Sequence, residues 1–420
     1  MPENDYRRNF WVFTADGMLF FLGMIFVSFE SVLPVFLTRL NAPRIAIALV
    51  PVAIALGQNL PSIFAAPLVE AAPSKRTHVL RFALWQRIPW AVVAVAIPFL
   101  AVAYAGWLIA LLLLSVMAVT VAAAFVVPAF FDLVARTIPV ERRGTLFALR
   151  SVLSYLFGIG GGIVVRIVLD RVAFPVNYAI LYGIGAVVLF LSLLAFSFIR
   201  EPAPPPEREI PAPTRGWMRE RIVRVVGKNR NFRNYIVARA ILIISFGTTS
   251  FFPVYLVEEF GLPDSVSGVF AIITAATFVL VNPVFGALGN RSGYKVAFLA
   301  SFVSLAIASV VGLSGVGVPV AHVLIACTAI SQSVNFLAYN MTIEFAGETE
   351  IPTYIGVCGF FIGLVAPLAI FTGVIVNAFG FDGLFVLTAA TAVAGLLVMA
   401  FGVEEPRAAL RRLNQPDLPY

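Results

Sequence analysis

"GALGNRSGYK", residues 286–295, interrupts an apolar chain. Hydrophobic sequence runs from Val266 to Phe285 before it and resumes at Val296 after it. Runs of about 18 or more apolar residues read as membrane-spanning helices. The stretch is therefore a short joint between two spans, too small for a domain. Glycine tolerates tight turns and close backbone approach, and Arg291 and Lys295 place charge at a membrane edge.

The whole chain has the same character. It is 60% hydrophobic and 12% charged over 420 residues, with a mean hydropathy of +0.95, whereas soluble domains carry about 25% charged residues. Hydropathy, Pro/Gly punctuation and charge clusters predict twelve spans: 10–38, 44–68, 79–102, 107–135, 144–169 and 174–199, then 232–258, 265–286, 294–314, 319–345, 353–378 and 382–402. The first is too long for a signal-peptide core. The fold class expected is an all-α polytopic membrane protein.

Positive charge sets the orientation. Lys75, Arg76 and Arg81, then Arg136, Arg142 and Arg143, then Arg291 and Lys295 fall in loops on one side, with the basic ends of the chain. By the positive-inside rule both termini and the middle connector are cytoplasmic. The net charge of +7 is then a topology signal. No basic surface interleaved with exposed aromatics marks a nucleic-acid partner. Cys327 and Cys358 lie in apolar segments and only two histidines exist. Metal and covalent cysteine chemistry have no residue set here, and no Walker-type loop offers ATP drive. An enzyme or a bound cofactor is not expected.

The connector "REPAPPPEREIPAPTRGWMRERIVRVVGKNRNF" (200–232) begins proline-rich and extended. From Trp217 to Lys228 it has the spacing of a basic amphipathic helix suited to membrane lipids. It divides the chain into 1–199, a linker 200–231, and 232–420. The two halves repeat: "NF" at 9–10 and 231–232, "LPVFLTRLNAP" (33–43) against "FPVYLVEEFGLP" (252–263), and "FIREP" (198–202) against "GVEEP" (402–406). Two six-span units in tandem are a parallel internal repeat.

In this setting the loop at 286–295, with Gly286, Leu288, Arg291, Gly293 and Lys295, and Asn290 where an aspartate is usual, resembles the signature loop of the major facilitator superfamily. The first-half counterpart "APLVEAAPSKRT" (66–77) keeps Glu70 as a possible acidic group but lacks the glycines. The resemblance implies two six-helix bundles related by a pseudo-twofold axis around a central cavity. It also implies alternating access to a small-molecule substrate, a gating role for the loop, and cytoplasmic charge clusters.

Ionisable groups inside a bilayer are costly and mark candidate sites. Asp16 and Glu30 lie in span one and Arg239 in span seven. Asp16 and Arg239 hold nearly the same repeat position, which predicts an ion pair between halves or contact with substrate. Glu30 is a candidate proton carrier. Gln58 and Asn59 in span two, Gln86 and Arg87 in span three, and Ser331, Gln332, Asn335 and Tyr339 in span ten can bind substrate or hold helices together. Asp132 and Glu344, with Arg142, Arg143 and Arg291, form the expected cytoplasmic network. "GIGGG" (158–162) in span five predicts close helix packing. The reading is a monomeric secondary transporter of a small solute, amphipathic cargo and proton-coupled export included, in a prokaryotic plasma membrane. The alternative is a transporter-fold assembly factor or sensor.

Overall fold

A computed structural model describes residues 3–61, 65, 68–69, 72–202, 223, 225–227, 229–315, 317–346 and 351–407. The connector helix expected at 217–228, Glu70, and the loop after Glu344 lie largely or wholly outside the described residues. Ten described helices are long and apolar enough to cross a membrane. Two more predicted spans are accounted for. Arg44–Asn59 is a shorter apolar helix. The 49-residue stretch Tyr354–Gly402 contains two predicted spans, and its backbone leaves helical geometry at Gly380 (φ 65°). The chain is a multi-pass, all-α membrane protein. Trp107, Phe99, Val102 and Phe401 are all more than 70% exposed, a surface that lipid solvates and water does not.

Two compact units form. The first comprises Met1–Pro211 with Ser250–Val279, and the second Ala212–Thr249 with Leu280–Tyr420. In the first, span one (Glu3–Phe26) packs on span five (Val140–Arg171) and span six (Val176–Phe196), while span three (Lys75–Leu100) packs on spans four (Ala105–Thr137) and six. Phe13 anchors the contact, edge-on to Phe130 at 5.5 Å and to Phe196 at 6.0 Å. The glycines of span five permit close approach, as expected. A Cβ on Gly158 would meet Phe21, and one on Gly162 would meet Ile272 and the Gly268 carbonyl at 2.8–2.9 Å.

The second unit repeats the pattern. Span seven (Arg230–Thr249) and span nine (Lys295–Leu313) both pack on the helical stretch Ile370–Leu397, and span nine also packs on span ten. Phe232, in the place of Phe10, meets Tyr354 at 4.6 Å and Phe345 at 5.4 Å.

Spans one and seven are interrupted at matching places. Span one stops at Phe26 and resumes as Val32–Arg39; span seven stops at Thr249 and resumes as Phe252–Glu259. Proline follows each break, at Pro34 and Pro253. Its missing N–H and ring favour a helix start over a helix interior.

Candidate functional site

The first unit holds a charge cluster inside its spanning helices. Asp16 is 5% exposed. Its Oδ1 accepts from the Ser192 hydroxyl at 2.7 Å and its Oδ2 from Arg150 Nη2 at 3.4 Å. Arg87 stands behind. Its Nε donates to the Leu189 carbonyl at 3.0 Å, Nη1 to the Ala83 carbonyl and the Gln86 amide oxygen, and Nη2 to Ser192 Oγ at 3.1 Å. Ser192 thus links Arg87 to Asp16. Arg150 lies over the Phe130 ring at 4.6 Å, a favourable cation–π placement. It crosses Gly17, where a Cβ would come within 1.9 Å of Arg150 Nε.

Asp16 thus has partners inside its own unit that the expected pairing with Arg239 did not include. Each group finds its partners within its own unit. In the second unit Arg239 neighbours the Tyr235 and Tyr339 hydroxyls and the Cys358 thiol. Tyr235 in turn donates to the Ala338 carbonyl at 2.8 Å. Arg239 Nε is buried without a hydrogen-bond acceptor. The repeat offset that aligns Asn9 with Asn231 aligns Gly17 with Arg239. Each unit therefore has a guanidinium at this level. In the first it arrives from span five across a glycine, and in the second it grows from span seven itself.

The other predicted residues are dispersed. Glu30 sits in the break of span one, where its backbone N–H meets Ser28 Oγ at 3.3 Å. Asn59 closes the helix Arg44–Asn59 and donates to the Ala55 carbonyl at 2.8 Å. Gln58 is exposed, and Gln332 and Asn335 flank a break at Ser333 in span ten. Ser331 is committed to the Thr328 carbonyl at 2.7 Å. Tyr339 is 50% exposed. Among the described residues no cluster of His, Cys, Asp or Glu could hold a metal ion.

At the helix ends nearer the termini, each unit carries the same clasp. Asn9 donates to the Arg200 carbonyl at 2.8 Å and accepts its N–H at 2.9 Å. Asn231 does the same with Glu404, at 2.9 and 2.8 Å. The following glutamates cap corresponding helices. Glu201 accepts from the N–H groups of Lys75 and Arg76 at 2.9 and 3.0 Å, and Glu405 from that of Lys295 at 2.9 Å. A carboxylate there satisfies open N–H groups and complements the helix dipole.

The loop at 286–295 is shorter than the sequence suggests, because the helix Val266–Ser292 absorbs most of it. Gly293 makes the turn at φ 88°, with a hypothetical Cβ 2.0 Å from the Glu405 carboxyl. A Cβ on Gly286 would meet nothing within 4 Å, so close approach falls instead to Gly289, against Tyr294. Lys295 Nζ donates to the Ala400 carbonyl at 2.8 Å. Arg291 is exposed, and the Asn290 side chain lies outside the described residues.

The charge network also has different members. Asp132 pairs with Arg136 at 2.8 Å, one turn along its own helix, and faces Lys75 at 3.8 Å. Glu344 pairs with Arg407, whose Nε donates at 2.7 Å. The partnership with Glu344 raises the Arg407 guanidinium above its ordinary range. Arg143 instead caps carbonyls, those of Ile138 and Ala135, and Arg142 is exposed beyond the turn at Pro139.

At the opposite helix ends of the first unit, Val32–Arg39 packs on Phe252–Glu259. Arg44 makes a two-pronged contact with Glu258, Nη1 to Oε1 at 2.6 Å and Nη2 to Oε2. Asp264 lies between Arg39 Nε at 3.7 Å and the Tyr178 hydroxyl at 3.2 Å. Sequence reading missed these contacts, and it missed Arg150. Arg150 carried the ordinary signal, a lone arginine inside an apolar run.

The family model described as Major Facilitator Superfamily matches residues 248–417, and the fold is shared with solved transporter structures. A mutant of the nucleoside transporter NupG superposes with a TM-score of 0.71 at 12% identity, covering 94% of this chain and 100% of the other. The D-xylose–proton symporter gives 0.67 at 13%, covering 95% and 98%. A variant of the E. coli fucose:proton symporter FucP gives 0.61 at 15%, covering 95% and 100%. No curated protein matches the sequence.

Proposed function

We propose that the chain is a secondary transporter that carries a small solute across a plasma membrane by alternating access, with both termini cytoplasmic. The observation that carries this reading is the set of guanidiniums held within spanning helices, Arg150 beside Asp16 and Arg239 beside two tyrosines. Groups so costly in a bilayer persist where they line a solute path. The interrupted spans one and seven support it, since broken helices line binding sites in transporters of several folds. So do the solved structures of the same fold, whose names describe transporters. The pairs Arg44–Glu258 and Arg39–Asp264 then act as a releasable closure at one membrane face. Glu30, in the break of span one, is the proton carrier.

The test is flux into proteoliposomes containing the purified protein, driven by a solute gradient with and without a pH gradient. Solute-specific flux above protein-free vesicles is expected. Its coupling to the pH gradient should disappear in Glu30→Gln while downhill flux remains. A protein that binds solutes yet moves none would overturn the reading. So would either terminus being reached by an externally added protease in intact cells.

A further inference from the structure

Charge within each unit bears on the sign of the solute. The inference rests on the transporter reading above. In the first unit one carboxylate, Asp16, faces two guanidiniums, Arg87 and Arg150. Arg87 is 4% exposed and directs its donors to two carbonyls, Gln86 and Ser192. It is a fixed structural charge. Arg150 is different: its side chain is 21% exposed, and its one carboxylate contact is long, at 3.4 Å. The unit keeps one positive charge without a full counter-ion.

The second unit reaches the same surplus independently. Arg239 lies nine residues into its helix, about 14 Å along it at 1.5 Å per residue, where the hydrocarbon core is about 30 Å thick. Among the described residues it has no carboxylate partner. Its neighbours are two phenols and a thiol, and its Nε lacks an acceptor. The residue as a whole is intermediate in exposure, although Nε is buried. Arginine stays protonated in proteins, and an uncompensated buried charge is strongly unfavourable. The planar fork of a guanidinium matches a carboxylate or phosphate. The recurrence at aligned repeat positions, by different routes, argues against a packing accident.

We propose that the transported solute is an anion, bearing a carboxylate or phosphate, and that Arg239 is its direct contact in the second unit. Tyr339 neighbours the head and supplies a hydroxyl to the same oxyanion, while Tyr235, donating to the Ala338 carbonyl, lines the site. Arg150, held in place by Asp16, is the first unit's own anion-attracting cation.

The experiment is a thermal-shift titration of the full chain in nanodiscs of neutral lipid. The probes are benzoate, succinate and inorganic phosphate, each anion set against benzamide, succinamide or benzylamine at equal ionic strength. Saturable stabilisation by at least one anion and by none of the neutral or cationic probes is expected. Arg239→Gln should weaken it at least tenfold, the scale of a lost charge-assisted hydrogen bond, and Arg239→Lys should retain part of it. Arg150→Gln gives a second reading should Arg239→Gln fold poorly, and Arg7→Gln, at an exposed terminal pair, is the control. Stabilisation only when phosphatidylglycerol replaces neutral lipid would assign the cation to a lipid headgroup and overturn the proposal. So would equal responses of wild type and both variants, or no response to any anion. Vesicle flux separates the two readings. Anion binding without flux defeats the transporter reading and leaves the charge assignment. Flux of neutral or cationic solutes, unchanged in Arg239→Gln, defeats the charge assignment alone.

Discussion

Asp264, in the turn before span eight, is pulled in two directions. Burial raises its carboxyl above the ordinary 3.8, while Arg39 and the Tyr178 hydroxyl hold it down. Burial prevails, so the folded arrangement binds a proton more tightly than a solvated aspartate does. Its stabilising effect is then fully present at low pH and is lost as pH rises through the raised value. The thermal midpoint should fall as pH increases from 3.8 into the weakly acidic range, and Asp264→Asn should remove that slope. An unchanged slope in the variant would assign the titration elsewhere. The sequence makes the intramembrane charges Asp16 and Arg239 legible because each interrupts an apolar run. It does not make their partners legible. Asp16 meets Arg150 and Ser192, 134 and 176 residues away, and repeat position alone points to neither.

The joint between spans eight and nine shows the same limit for an element. Its glycines are visible in the sequence, but their separate roles depend on what stands opposite each one. Gly293 occupies a positive-φ turn against Glu405, whereas Gly286 is a helical position with open space around it. Gly293→Ala should therefore lower the thermal midpoint. Left-handed backbone costs a non-glycine residue about 1–2 kcal/mol, and displacing the Glu405 cap adds about 1 kcal/mol. Gly286→Ala should be neutral or stabilising by about 0.5–1 kcal/mol, since alanine is the better helix former. Denaturation of the two variants side by side checks this, and equal effects would contradict the assignment. The boundaries of the joint could not be read from composition, because polar residues such as Asn290 and Arg291 continue the helix past the apolar run.

At the scale of the molecule, the twelve-span count and the tandem repeat were legible because both are periodic in the sequence. The purpose of the repeat landmarks was not. "NF" and the Glu-Pro pairs read as coincident spellings until Asn9 meets Arg200 and Asn231 meets Glu404. These clasps bear on how the chain is made. Each fastens the start of its first helix to the exit of its sixth through two hydrogen bonds between an asparagine side chain and the backbone, worth about 1 kcal/mol apiece. Each clasp joins residues of one half of the sequence only, so its formation does not require the other half. A gene cut between codons 210 and 211, with both fragments co-expressed, should yield a complex that co-purifies and keeps the ligand response of the intact chain. Asn9→Ala should lower accumulation of the first fragment alone, and Asn231→Ala that of the second. Degradation of both fragments, with the clasps intact, would show that one continuous chain is required.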